Sequence, residues 1–228
     1  MKRILNKLLV FTFAIGIFSQ VYGADKVALT LKSRGDAALR RAAESNFKPN
    51  IKVGTSLFSE DEVKTGKDGY IVLVFLDDKS QIKIRENSEM IIAGEVKKGA
   101  ISKSISMDYG TLKAEVNPQK KGDFIIATPT SVASVKGTAF WVISDPTGDI
   151  FFGLEGEVEV TNNESGQVVV VQEGYTGTSL PDGNTGVEET SEENIPDEPE
   201  EETEETNLIE IELQDPQGNQ KTIKVEFQ

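Results

Sequence analysis

The chain contains neither cysteine nor histidine. Without cysteine there are no disulfides, thiol nucleophiles, thiolate metal sites or lipid-anchor thiol at a signal cleavage point. Without histidine the commonest general base and the commonest imidazole metal ligand are gone. Ser-His-Asp chemistry, zinc hydrolysis and HExxH motifs are therefore excluded. Trp and Tyr are also few, one and four, and no aromatic platform flanking an acidic pair is visible. Any catalysis would rest on carboxylates, lysine or tyrosine. No cofactor, metal centre or enzymatic activity is expected.

Positive charge opens the chain and is scarce only at its end. Lys2, Arg3 and Lys7 precede an eleven-residue apolar run from Leu8 to Phe18, and Val21-Tyr22-Gly23 stands before Ala24. This order reads as a secretory signal peptide over 1–23, the run being short for a bilayer that needs about 20 apolar residues. Export to the periplasm, cell surface or medium is expected, with no membrane span in the mature chain. Residues 24–180 carry 19 basic against 22 acidic side chains, while 181–228 carry two against 16, which places nearly all of the −14 net charge in the tail. Such a tail repels nucleic acid within a Debye length of about 8–10 Å.

Residues 24–180 read as strand after strand. Ile71, Leu73 and Phe75 alternate with Tyr70, Val72 and Val74, a run apolar on both faces and hence central. Ile82 and Ile84 alternate with Lys83 and Arg85, and Leu112, Ala114 and Val116 alternate after Tyr109-Gly110. Glycine punctuates nearly every unit and no helical periodicity separates them, so the body is expected to be all-β. A sandwich, a jelly roll and a β-solenoid all satisfy the pattern. Asp36 to Glu44 is rich in helix formers and is expected to be a strand, with a single helical turn as the alternative. Residues 181–206 hold Pro181, Pro196, Pro199 and twelve acidic residues with none basic, the composition of a disordered, self-repelling linker. Over 207–228, Ile209, Ile211 and Leu213, then Ile223, Val225 and Phe227, alternate with polar residues around Asp215-Pro216-Gln217-Gly218, predicting a β-hairpin that must dock on its own body, a second copy or another protein.

The most distinctive stretch runs from Phe124 to Phe140. An apolar strand meets Thr128-Pro129, where proline removes a ladder donor and stops the strand. A small-residue crossing then leads to Lys136-Gly137-Thr138, where glycine allows a tight turn or the close approach of another backbone. This resembles the core motif of the FecR-domain family, T-P-x-x-x-x-x-V-R-G-T-x-F, here with Lys136 for the arginine. Gly54-Thr55-Ser56-Leu57, Asp61 to Gly66, Gly69 to Phe75, Ser88 with Met90 to Ile92, Tyr109 to Leu112 and Glu155 to Val158 resemble further family elements in the same order. The family's D-G-S hairpin appears as Asp77-Asp78-Lys79-Ser80, without its glycine. The resemblance implies a twisted, β-helix-like domain, with Thr128, Pro129, Lys136, Gly137, Thr138 and Phe140 as a structural motif. Iron-uptake FecR regulators place an anti-sigma arm and a membrane helix before this domain; here it is expected to follow the signal peptide directly, as a stand-alone exported protein.

Short motifs of chemical interest read as ordinary structure. Ser80 to Lys83 spells S-x-x-K on a strand, where three-residue spacing points the two side chains apart. Arg34-Gly35-Asp36 and Asn163-Glu164-Ser165 both fit turns. Asp145 to Asp149 offers oxygen ligands without the spacing of a calcium loop. The expected function is a non-enzymatic envelope scaffold or protein-interaction module, its partner an envelope protein or a second copy held through the hairpin. The alternatives are an indirect sensor acting through a separate membrane protein, and a carboxylate-based polysaccharide-active enzyme.

Overall fold

The computed structural model describes residues 25–97, 100–119, 121–198, 207–214 and 220–227. The expected signal peptide lies outside them. The chain is all-β, as its patterning requires. It divides into two compact units, residues 1–192 and 193–228.

Seventeen strands of the first unit share one open, mixed hydrogen-bonded network that is folded into two layers. Strand β1 (Lys26–Arg34) lies in the first layer, and β2 (Ala37–Arg40) with β3 (Lys48–Pro49) in the second. Strand β4 (Ser56–Phe58) returns to the first layer and β5 (Asp61–Thr65) to the second. Hairpin β6 (Tyr70–Phe75) and β7 (Gln81–Ile84) follows in the first, then β8 (Glu89–Lys97) in the second. Strand β9 (Ala100–Glu115) starts beside β8 and ends beside β7, passing from one layer to the other. Successive hairpins then alternate. Strands β10 (Phe124–Ala127) and β11 (Ser131–Val135) are in the second layer, β12 (Ala139–Asp145) and β13 (Gly148–Glu155) in the first. Strands β14 (Glu157–Asn162) and β15 (Val168–Gln172) return to the second, β16 (Tyr175–Ser179) and β17 (Thr185–Glu189) to the first. Strands β9 and β10 run parallel, and the other pairings are antiparallel.

The core fills the space between the layers. Phe75 of β6 meets Phe124 of β10 edge to face, with ring centroids 5.6 Å apart. As its two-faced apolar run predicts, β6 is central: β1 and β7 flank it, and Ile71 to Phe75 are all buried. In β9 the buried side chains are Ile101, Lys103, Ile105 and Met107, then Leu112 and Ala114, with Val116 buried just beyond its end. The burial period slips by one residue at Tyr109-Gly110, and that slip hands the strand to the facing layer. Gly110 has φ 125° there, and a β-carbon would stand 2.5 Å from the Ser88 Cα.

Ala37 to Arg40 is strand despite its helix formers. Ala37 and Leu39 point into the core, while Arg40 and Arg41 reach the buried carboxylates Glu62 and Asp61 of β5. Long-range pairing outweighs the tenths of a kcal/mol per residue that propensity offers. Lys79 adopts φ 66° where the family hairpin has glycine, and the Asp78 carboxylate accepts the Ser80 N–H at 2.9 Å to close that turn.

Order also continues past residue 180. Strand β17 pairs along β16 from Tyr175↔Glu189 to Ser179↔Thr185, so the expected disordered linker does not begin at 181. Its glutamates Glu188 and Glu189 are exposed, and an acidic strand with one wet face resembles linker in composition alone. Part of the expected linker, 199–206, lies outside the described residues. In the second unit, β18 (Asn207–Gln214) and β19 (Gln220–Phe227) form the predicted hairpin, in register from Asn207↔Phe227 to Gln214↔Gln220. Among the described residues, no helix is long and apolar enough to cross a membrane.

Candidate functional site

The Thr-Pro motif builds one wall of a broad cleft. Thr128 ends β10, and its N–H donates to the Ser131 carbonyl at 2.8 Å while its Oγ1 accepts the Ser131 N–H at 2.8 Å. Pro129, lacking an N–H, spans the turn between them. Beneath this turn Asp149, at 0% exposure, accepts hydrogen bonds from Thr128 Oγ1 at 2.5 Å, from Ser144 Oγ at 2.6 Å and from Ser131 Oγ. Asn163 straps the turn from outside, its Nδ2 donating to the carbonyls of Thr128 and Pro129 at 3.1 Å each. Strand ends from both layers are thus locked around one buried carboxylate. Such satisfied polar networks fix a single arrangement, because leaving any member unpaired is costly.

The cleft above has a volume of about 910 Å³. Its walls are the β9 crossing from Asp108 to Thr111, the Pro129-Thr130 turn, the end of β12 with Pro146, the β14–β15 turn at Asn163-Glu164, and Glu86, Asn87 and Pro181. Four of the lining side chains are carboxylates (Glu86, Asp108, Asp145 and Glu164) and none is basic. The Arg85 guanidinium, 3.1 Å from Glu86, holds the Glu86 carboxyl below the usual carboxylate range. The Thr147 hydroxyl and N–H, at 2.5 and 2.7 Å, do the same for Asp145. Both groups therefore stay ionised at neutral pH. Three prolines and Tyr109 contribute flat apolar surface between them.

The motif residues do not converge on one point. Thr128 and Pro129 stand at the cleft, while Lys136 to Thr138 lie at the far end of β11, about 16 Å away along a five-residue strand. There Gly137 has φ 132°, and a β-carbon would sit 2.9 Å from the Pro118 Cα, which is the close approach expected of it. Thr138 is buried and its carbonyl accepts the Val116 N–H at 2.8 Å. Lys136 is exposed, and Phe140 is wholly buried in the core. A smaller recess of about 390 Å³ adjoins Gly137 and Thr138.

Other sequence motifs resolve as local structure. Asp145 and Asp149 do not converge: one caps its own turn and the other faces inward. The Asp36 N–H donates to Asp68 at 3.0 Å, and Asn163 spends its amide inside the fold. Sequence reasoning missed the cleft itself and the role of Asp149. The available signal was the run of hydroxyl residues, Thr128, Thr130 and Ser131, in an otherwise apolar hairpin.

The family described as FecR protein matches residues 61–176, about half of the chain. No curated protein matches. Two crystal structures of a candidate anti-sigma factor from Parabacteroides distasonis ATCC 8503 are similar at 17% identity, with TM-scores of 0.48 and 0.47. Each comparison covers 56% of this chain and 59% of the other, so the chain spans about three fifths of their length.

Proposed function

Because this chain belongs to the FecR family, we propose that it is a non-catalytic module of the cell envelope that holds a protein partner in the cleft over its Thr-Pro turn. The observation that carries this reading is the lining: carboxylates held ionised, apolar proline and tyrosine surface, and no basic side chain. Fixed negative charge with flat apolar area favours a partner presenting lysine or arginine from an extended segment. Glycan cleavage would instead require a carboxyl pushed up to act as a general acid, whereas Glu86 and Asp145 are pushed down. Secretion through the amino-terminal apolar run places the module outside the cytoplasm in this reading. The stepping of successive hairpins between layers supports a twisted, solenoid-like stack as the scaffold. A variant of this function, favoured by the match to the FecR family, is an indirect sensor that signals through a separate membrane protein.

The test is photo-crosslinking in the native envelope. A photoreactive side chain in place of Tyr109, within the cleft, should trap a discrete partner identifiable by mass spectrometry. The same group in place of Val53, 68% exposed and outside the cleft, should not. Equal trapping from both positions, or none from Tyr109, would refute the proposal.

A further inference from the structure

We propose that the open edge of β15 is a self-pairing surface through which two copies of this protein associate, strand to antiparallel strand, into a dimer. The inference is independent of what occupies the cleft. It begins with the outermost strands, since a strand with one neighbour presents unpaired N–H and C=O groups to any passing chain. Among the described residues of the first unit, β3, β4, β15 and β17 each pair on one side. Three of these carry the usual protections. Strand β3 is two residues long and ends in Pro49, β4 is three residues long, and β17 closes on the exposed pair Glu188-Glu189.

Strand β15 has none of them. It reads Val168-Val169-Val170-Val171-Gln172, with no charge, proline or glycine, and Val168 and Val170 are 51% and 44% exposed. Its neighbours show which way its peptide groups face. The Gln167 carbonyl accepts the Asn162 N–H at 2.9 Å, and the Glu173 N–H donates to the Gly156 carbonyl at 3.1 Å, both toward β14. Peptide direction alternates along an antiparallel strand, so Val168, Val170 and Gln172 aim their N–H and C=O groups away from β14. These are the groups a further strand would meet.

A two-fold axis through Val170, normal to the layer, satisfies them. Val170 then faces Val170 of the second copy, and Val168 faces Gln172 of the second copy, with about six main-chain hydrogen bonds across the seam. Because facing residues are an even number apart, both copies keep the same side toward the core. Two half-exposed valines from each copy come together on the outer face.

Charge admits a second copy as the occupant. The net charge of −14 sits almost wholly beyond residue 180, and residues 24–180 are nearly balanced, so self-association of the body meets little long-range repulsion. At β15 the nearest carboxylate across the ladder is Glu159, opposite Val170 on β14. It would lie about 14 Å, three strand spacings, from its symmetry mate, beyond a Debye length of about 8 Å. Along the seam Glu173 would face Gln167, so no like charges oppose. The arrangement is isologous and closes at two copies, with no open edge left at β15 for fibre growth. With only five residues a side, the interface belongs to the small, weak class, and association should be concentration-dependent.

Sedimentation of the full secreted chain over a concentration series reaching the high-micromolar range tests this. The wild type should shift from monomer to dimer, and Val170→Lys, which places two ammonium groups on the axis, should remain monomeric with an unchanged circular dichroism spectrum. Should that variant misfold, hydrogen exchange on the wild type decides: amides of Val168, Val170 and Gln172 should slow about tenfold or more as the dimer forms. A wild type that stays monomeric overturns the proposal. So does a dimer that survives Val170→Lys, or one that leaves those three amides unprotected.

Discussion

Asp149 carries more of the architecture than its place beside a turn suggests. Three hydroxyls from β10, β11 and β12 converge on it inside the layers. Replacing Asp149 with Ala would leave three buried hydroxyls without their acceptor, and we expect a loss of about 2–4 kcal/mol in urea unfolding, with a fall in the midpoint and little change in slope. Lys103 makes the same point with charge. It is wholly buried, its Nζ 2.9 Å from Asp77 and 2.8 Å from Asp78, and 5.5 Å from the Phe75 ring centre. Burial pushes the Asp78 carboxyl up, but Lys103, Gln119 and the Ser80 N–H outweigh it and hold it below the usual range. Lys103→Met leaves two partly buried carboxylates uncompensated and should cost about 3–5 kcal/mol at neutral pH by denaturant titration. Neither role was legible in the sequence. Asp145 and Asp149 look alike around a Pro-Thr-Gly turn, and only hydroxyls brought from 18 and 21 residues away turn one of them inward. Lys103 keeps step with the apolar Ile101, Ile105 and Met107, so the alternation does put it on the core face, but nothing local shows that carboxylates 25 and 26 residues away meet it there.

Among the elements, β9 decides the topology. Its sixteen residues belong to both layers, and the change of layer occurs where the burial period slips at Gly110. We expect Gly110→Val to fail at that crossing, since Ser88 occupies the β-carbon position and φ 125° is closed to a branched side chain. The loss should appear as poor secretion, or as dye-binding, loosely packed protein, where Thr111→Val one residue on is tolerated. The sequence does show the strand after Tyr109-Gly110 and the Thr-Pro stop at 129, because both are local events. It does not show that the preceding strand is the same one, since a slip of one residue leaves alternation intact on either side. The hairpin β18–β19 was readable for the opposite reason: its two apolar alternations and its turn are contiguous. Strand β17 was not, because it pairs by its backbone and shows its glutamates to solvent.

At the scale of the molecule, charge governs stability and, in the proposed function, partnership. Besides Asp78, the carboxyls of Glu86, Glu89, Glu115 and Asp145 are held below their ordinary range. A depressed folded-state pKa contributes stability that is fully present above the unfolded value, about 4, and is lost as pH falls through the folded one. Unfolding midpoints should therefore be flat near neutrality and fall steadily below about pH 4, and Lys103→Met should flatten that acid limb by releasing Asp78. Those ionised groups matter again at the cleft, where Glu86 and Asp145 face any bound segment alongside Asp108 and Glu164. The most direct measurement is the affinity of the partner trapped from Tyr109 for wild-type protein and for a variant carrying Glu86→Gln, Asp108→Asn, Asp145→Asn and Glu164→Gln. A cleft that works by fixed negative charge predicts at least about a tenfold weaker dissociation constant in the variant, and a salt dependence that largely disappears with it. Equal affinity and equal salt dependence in the two proteins would contradict the account.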